Sequence, residues 1–178
     1  MLLFGHIGIT VGVVRVYDIS SSKRRLACID YRIVLLGSLL PDIIDKPVWV
    51  FFRGLATDAS LSGRDFSHTL IFNLLLLVGG LVLVSYKKFW LLSMSLVSLM
   101  HLILDQLWNS PEVLFWPLLG PLYGEETTGW FFHMIQTLFS SPEVYIPEII
   151  GLAVVLIFAF RLVVRKKVIN FFESGVII

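Results

Sequence analysis

The chain alternates long apolar runs with short polar breaks, and the breaks carry most of its charge. Residues 1–17 are apolar and glycine-bearing and read as a first, short helix. Ser20-Ser21-Ser22-Lys23-Arg24-Arg25 follows as a polar, basic turn. Residues 27–40 form a second apolar run that ends at Pro41-Asp42. The chain is expected to kink or restart there, because proline lacks a backbone donor and suits the first turn of a helix. Val48-Trp49-Val50-Phe51-Phe52 reads as an aromatic stretch at a membrane interface, and residues 54–67 read as a polar loop. His68 to Tyr86 is long enough to span a bilayer. Lys87-Lys88 makes so short a turn that the next run, Phe89 to Trp108, is expected to pack antiparallel to it. Residues 109–147 mix tryptophan, phenylalanine, proline and glycine with Glu125-Glu126, which suits an outer aromatic-rich loop segment with short interfacial helices. Glu148 to Val164 is the last run, stopped by Arg165-Lys166-Lys167, and the tail to Ile178 reads as a short amphipathic end.

Composition turns this pattern into a class. The 178 residues are 57% hydrophobic and 15% charged, with a mean hydropathy of +0.86. A soluble domain has about 45–50% apolar and about 25% charged residues. The expectation is therefore an all-α, polytopic membrane helical bundle with about five membrane-embedded helices, folded as a single domain over residues 1–178. A net charge of +1 gives no support for nucleic-acid binding. The single cysteine, Cys28, excludes an internal disulfide and a cysteine-rich zinc site. Residues 1–17 lack the basic start and small-residue cleavage site of a signal peptide, so they are read as part of the mature fold.

Against this apolar background a few polar residues stand out. Ionisable groups inside membrane helices are costly and default to function. Asp42 and Asp45 close the second run three residues apart, and His101 and Asp105 lie four apart, on one helical face. His6 opens the chain and His68 opens the third run. Each has a plainer reading alone: Asp42 as a helix cap, His101 and Asp105 as a polar pair between helices. Their placement argues for more. The basic clusters at 23–25, 87–88 and 165–167 all belong in the cytoplasm by the positive-inside rule. Following the helices from there brings His6, Asp42, Asp45, His68, His101 and Asp105 to the outer side together. Three imidazoles and three carboxylates without a thiolate suit zinc first, with manganese or iron as alternatives. Six ligands suffice for one ion or two, and a two-metal centre can drive a phosphoryl displacement. Arg64, four residues before His68, is a candidate for holding a substrate phosphate or carboxylate. Glu125, Glu126 and His133 could add a ligand or a base, while Asp58 and Asp65 read as loop residues.

The ordered set Gly5-His6, Gly37-x-x-x-Pro41-Asp42-x-x-Asp45, Arg64-x-Phe66-Ser67-His68-Thr69-Leu70, His101-x-x-x-Asp105 and Phe115-Trp116-Pro117 resembles the inner-membrane metal-dependent hydrolases, the YdjM-like or DUF457 family. The resemblance covers roughly residues 1–120. It implies that His6, Asp42, Asp45, His68, His101 and Asp105 are the metal ligands. It also implies a distant likeness to zinc-dependent phospholipase C and the S1/P1 nucleases. The chain departs from the family at Gly63-Arg64-Asp65, where members often carry His-Arg-Gly. It also lacks the His-x-x-x-Glu element of the soluble phospholipases, so a third zinc is not expected.

The resulting expectation is an integral protein of the cytoplasmic (inner) membrane, with its site facing outward and its C-terminus in the cytoplasm. It would hydrolyse a phosphoester in a membrane lipid or lipid-linked substrate, with Asp45 or Asp105 taking the proton. The alternatives are a metal-ion or proton-coupled transporter using the same residues, or a non-catalytic membrane protein with a structural metal.

Overall fold

A computed structural model describes residues 1–20, 29–53, 63–64, 66–120 and 130–177. Among these residues the chain is all helical. The helices are α1 (Leu3–Ser20), α2 (Tyr31–Arg53), α3 (Leu70–Ser85), α4 (Trp90–Leu104), α5 (Pro111–Leu114), α6 (Trp130–Ser140), α7 (Pro142–Val164) and α8 (Val168–Ser174). Two of them, α1 and α7, are long and apolar enough to cross a membrane, and α3 and α4 are shorter apolar helices. The surface of α7 is built from exposed Ile149, Leu156, Ile157, Phe160 and Val163. A row of that kind belongs against lipid rather than water.

α1 is the hub. It packs along α7 on one side and against α2 and α4 on the other, while α3 packs on α4 and α8 closes against α2 and α7. Small residues bring α1 and α7 together. A side chain on Gly8 would fall on the backbone of Gly151, and one on Gly151 would fall on the Phe4 carbonyl. Association in a membrane depends on such close backbone approach, because burying one apolar side chain against another gains little over burying it in lipid. The main apolar cluster joins Val11, Tyr31, Val34, Val97 and Ile177. The tail thus returns into the bundle, and Tyr31 N–H donates to the Gly175 carbonyl at 3.0 Å.

Two expectations about boundaries need correction. α2 does not stop at Pro41: it continues through Pro41 and Pro47 to Arg53 and absorbs the aromatic 48–52 stretch. The turn that proline disturbs is met by side chains from elsewhere. The Ser38 carbonyl is held by His101 and the Pro41 carbonyl accepts from Ser67 Oγ at 2.8 Å. The last run begins at Pro142 rather than Glu148, so Glu148 lies inside α7 and is buried.

Just before α2, Asp30 accepts from Arg32 Nε at 3.0 Å and Nη2 at 2.8 Å. The arginine beside it holds the Asp30 carboxyl below its usual range. Arg32 also donates to the Phe172 and Glu173 carbonyls, tying α8 to α2.

Candidate metal site

One end of the bundle gathers the polar residues singled out in the sequence. His6 comes from the first turns of α1, Asp42 and Asp45 from the middle of α2, and His68 from the approach to α3. His101 and Asp105 come from the end of α4. His6, His68 and His101 have no solvent exposure. The His6 and His101 rings stack with centroids 3.9 Å apart, and His68 meets His101 edge-on at 5.3 Å. Asp105 Oδ1 is 3.0 Å from His6 Nε2, and Asp105 Oδ2 is 3.8 Å from His101 Nε2 and 4.0 Å from His68 Nε2. Asp42 Oδ1 is 3.6 Å from His68 Nε2, while Lys46 holds the other oxygen at 2.8 Å. Two triplets result, His6 with Asp42 and His101, and His68 with His101 and Asp105. Within each, the ligand atoms all lie within 4.8 Å of one another. His101 belongs to both.

Hydrogen bonding aims these rings. His101 Nδ1 lies 2.7 Å from the Ser38 carbonyl oxygen. A carbonyl only accepts, so Nδ1 carries the proton and Nε2 presents its lone pair to the cluster. His68 Nδ1 lies 2.7 Å from Asp45 Oδ2, which sets the same tautomer. Asp45 also accepts from Ser67 N–H at 2.9 Å and from the N–H of Phe66 and of His68, each at 3.3 Å. Expected as a ligand and proton acceptor, Asp45 instead stands behind His68 and belongs to neither triplet. Metal-binding histidines are commonly oriented by a carboxylate or carbonyl in this way.

Among the described residues, five buried side-chain polar atoms have no hydrogen-bond partner. Four of them are ring nitrogens: Nδ1 and Nε2 of His6, Nε2 of His68 and Nε2 of His101. His6 Nε2 is close to Asp105 but outside hydrogen-bonding geometry. One such unpartnered group costs roughly 1–3 kcal/mol. One on each of three adjoining histidines points to a partner outside the chain. Bare imidazole nitrogens beside carboxylate oxygens fit a divalent cation.

A family model, the YdjM inner membrane protein, matches residues 1–169. The chain belongs to that family. No curated protein and no solved structure matches it, and the more distant likeness to phospholipase C and the S1/P1 nucleases is not shown by these comparisons. The family and the apolar helices together make this a membrane protein.

In this YdjM-family chain Arg64 sits at the rim of the cluster, half exposed, with Nη2 3.5 Å from Asp105 Oδ2. The Met1 amine reaches Asp105 Oδ1 at 2.8 Å. Asp58, Asp65, Glu125 and Glu126 lie outside the described residues, as do Lys23, Arg24, Arg25, Cys28 and the side chain of His133.

Sequence reasoning missed Glu148. Its carboxylate accepts from the backbone N–H of Leu2 at 2.7 Å, Phe4 at 2.9 Å and Gly5 at 3.0 Å. It thereby caps α1 and fixes the turn that carries His6. A Cβ on Gly5 would come within 2.6 Å of Glu148 Oε1, so a larger residue there would displace the carboxylate from this cap. The available signal was an acidic residue inside an apolar run. Asn73 was missed as well: it is buried, donates to the Ser67 and Thr69 carbonyls, and accepts from Ser98 Oγ at 2.6 Å. It braces the loop that presents His68.

Proposed function

We propose that the protein is a membrane-bound, metal-dependent hydrolase of a phosphoester, acting on a lipid or lipid-linked substrate. The observation that carries this reading is the convergence of His6, His68 and His101, each with a ring nitrogen that lacks a hydrogen-bond partner, with Asp42 and Asp105. His6, His68, His101, Asp42 and Asp105 would hold one or two divalent ions, zinc foremost. A divalent ion bound there would activate water and polarise a phosphoryl oxygen.

The chain's own residues supply the rest. Asp45 and the Ser38 carbonyl keep His68 and His101 in the tautomer that presents Nε2. Asp45 or Asp105 is the carboxylate to accept a proton. Arg64 offers an exposed guanidinium beside Asp105 for the phosphate oxygens. An open groove of about 500 Å³ runs between α1, α6 and α7, lined by Phe4, Leu138, Phe139, Ile149 and Leu152. The groove lies on the α7 side of α1 and His6 on the α2–α4 side; an amphiphilic substrate is supported instead by the lipid-facing apolar surface of the bundle that carries the site. The basic clusters at 87–88 and 165–167 lie at the opposite end, so the positive-inside rule turns the site outward and the C-terminus to the cytoplasm.

The test is turnover of a phospholipid phosphodiester by detergent-purified, metal-loaded protein beside His101→Ala. Turnover in the wild type alone supports the reading. Metal uptake into proteoliposomes without any turnover would replace it with a transporter.

A further inference from the structure

The far end of α7 is chemically unlike the end that carries Glu148. Arg161 and Arg165 stand one helical turn apart, and Lys167 follows at the start of α8. With Arg15 of α1 they line a small cleft floored by Phe158, Leu162 and Ile177. Arg15 is already committed: it lies 2.7 Å from Asp18, which also accepts from Tyr31 Oη at 3.1 Å. Asp30 is held by Arg32, and Glu173, on α8, is not among the residues that line the cleft. Arg161, Arg165 and Lys167 have no ion-pair partner among the described residues. Three like charges around one cleft repel one another unless an anion joins them.

The setting says which anion. Arg165 lies seventeen residues beyond Glu148 in α7, about 25 Å along a helix. That is close to the thickness of a bilayer's hydrocarbon core, about 30 Å. α8 turns Ile169 and Phe172 outward, each about 70% exposed, while Ile177 is buried beneath the cleft. Apolar groups outside and cations at the mouth fit a membrane–water boundary. The tail that walls the cleft is pinned by the Arg32 bonds to the Phe172 and Glu173 carbonyls.

We propose that this cleft binds the phosphate of an anionic phospholipid, in the leaflet opposite the histidine–aspartate cluster. The guanidinium forks of Arg161 and Arg165 recognise phosphate oxygens. The apolar floor receives the first carbons below the headgroup. A zwitterionic headgroup brings its own ammonium among three cations and is disfavoured. This site is independent of the proposed hydrolase activity.

The experiment is native mass spectrometry of the full chain with phosphatidylglycerol and phosphatidylcholine of identical acyl chains. Wild type is expected to prefer phosphatidylglycerol by about tenfold or more. The preference should fall to near parity in Arg161→Gln/Arg165→Gln. It should persist in Lys87→Gln/Lys88→Gln, which removes the same charge from the α3–α4 turn at the same end of the bundle. Lys167→Gln alone should lose part of the preference, and it carries the test if the double variant misfolds. Equal loss in both double variants would reduce the effect to general surface charge and overturn the proposal. So would the absence of a preference in wild type, or displacement of the lipid by millimolar inorganic phosphate.

Discussion

The two ends of α1 and α7 treat polar groups in opposite ways. At one end, three imidazoles are fully covered beside largely buried carboxylates, and several ring nitrogens are left without a hydrogen-bond partner. At the other, arginines and a lysine stand at the mouth of a cleft while Asp18 and Asp30 are each taken by an arginine. The same pair of helices supports both, and Gly8 and Gly151 hold them together between the ends. Burial without a partner marks a ligand inside the bundle. Exposed cations gathered at one cleft carry no such burial cost. The first is costly to build and should be the more sensitive to change.

The comparison breaks most completely at Asp105. Asp105→Asn removes the carboxylate that adjoins all three histidines, and turnover should fall by roughly 10²–10⁴-fold. Steady-state rates on a phosphodiester, with the arginine-end variants as controls, measure it. Next in size is the contact between the helices. Gly151→Val forces α7 away from Phe4 and should cost about 3 kcal/mol, read as a lowered unfolding midpoint that affects both ends together.

Glu148→Ala sharpens the contrast, because it acts on one end only. Three backbone donors at the start of α1 lose their acceptor, at a cost of roughly 1–3 kcal/mol. Hydrogen exchange should rise in residues 2–6 and stay unchanged around Arg161. Asp45→Asn should leave the fold intact and weaken metal affinity by about 10–100-fold, as loss of an orienting carboxylate does. Equilibrium metal titration distinguishes this from outright loss of a ligand.

The smallest effect belongs to the basic end. The Asp30 carboxyl is held down by Arg32, so it adds stability at pH values above its ordinary value of 3.8. That contribution is lost as the pH falls through its depressed folded value. The pair is partly exposed, so the gain stays below about 1 kcal/mol. Asp30→Asn should lower stability slightly at neutral pH and flatten the acid limb of an unfolding-versus-pH curve.

Much of this was legible from spacing. The apolar runs mark the helices, and the alternation of ends brings His6, Asp42, His68, His101 and Asp105 to one side of the membrane. What could not be read depended on distant partners. Pro41 looked like a break because its missing N–H is a local fact. The His101 and Ser67 contacts that support that turn come from 63 and 26 residues away. Asp42 and Asp45 are equivalent in sequence; only the N–H groups of Phe66, Ser67 and His68 decide that Asp45 is the one turned to support. Glu148 caps backbone 143 to 146 residues away, a relation no local pattern carries.

The most direct test of the central claim is elemental analysis of the purified protein, comparing wild type with His101→Ala and Arg161→Gln. His101 joins both triplets, so its loss should empty the whole cluster. The account predicts one or two equivalents of zinc or a similar divalent metal in wild type and in Arg161→Gln, and none in His101→Ala. A wild type that holds no metal even after reloading would contradict it. The three buried histidines would then be polar contacts between helices rather than ligands.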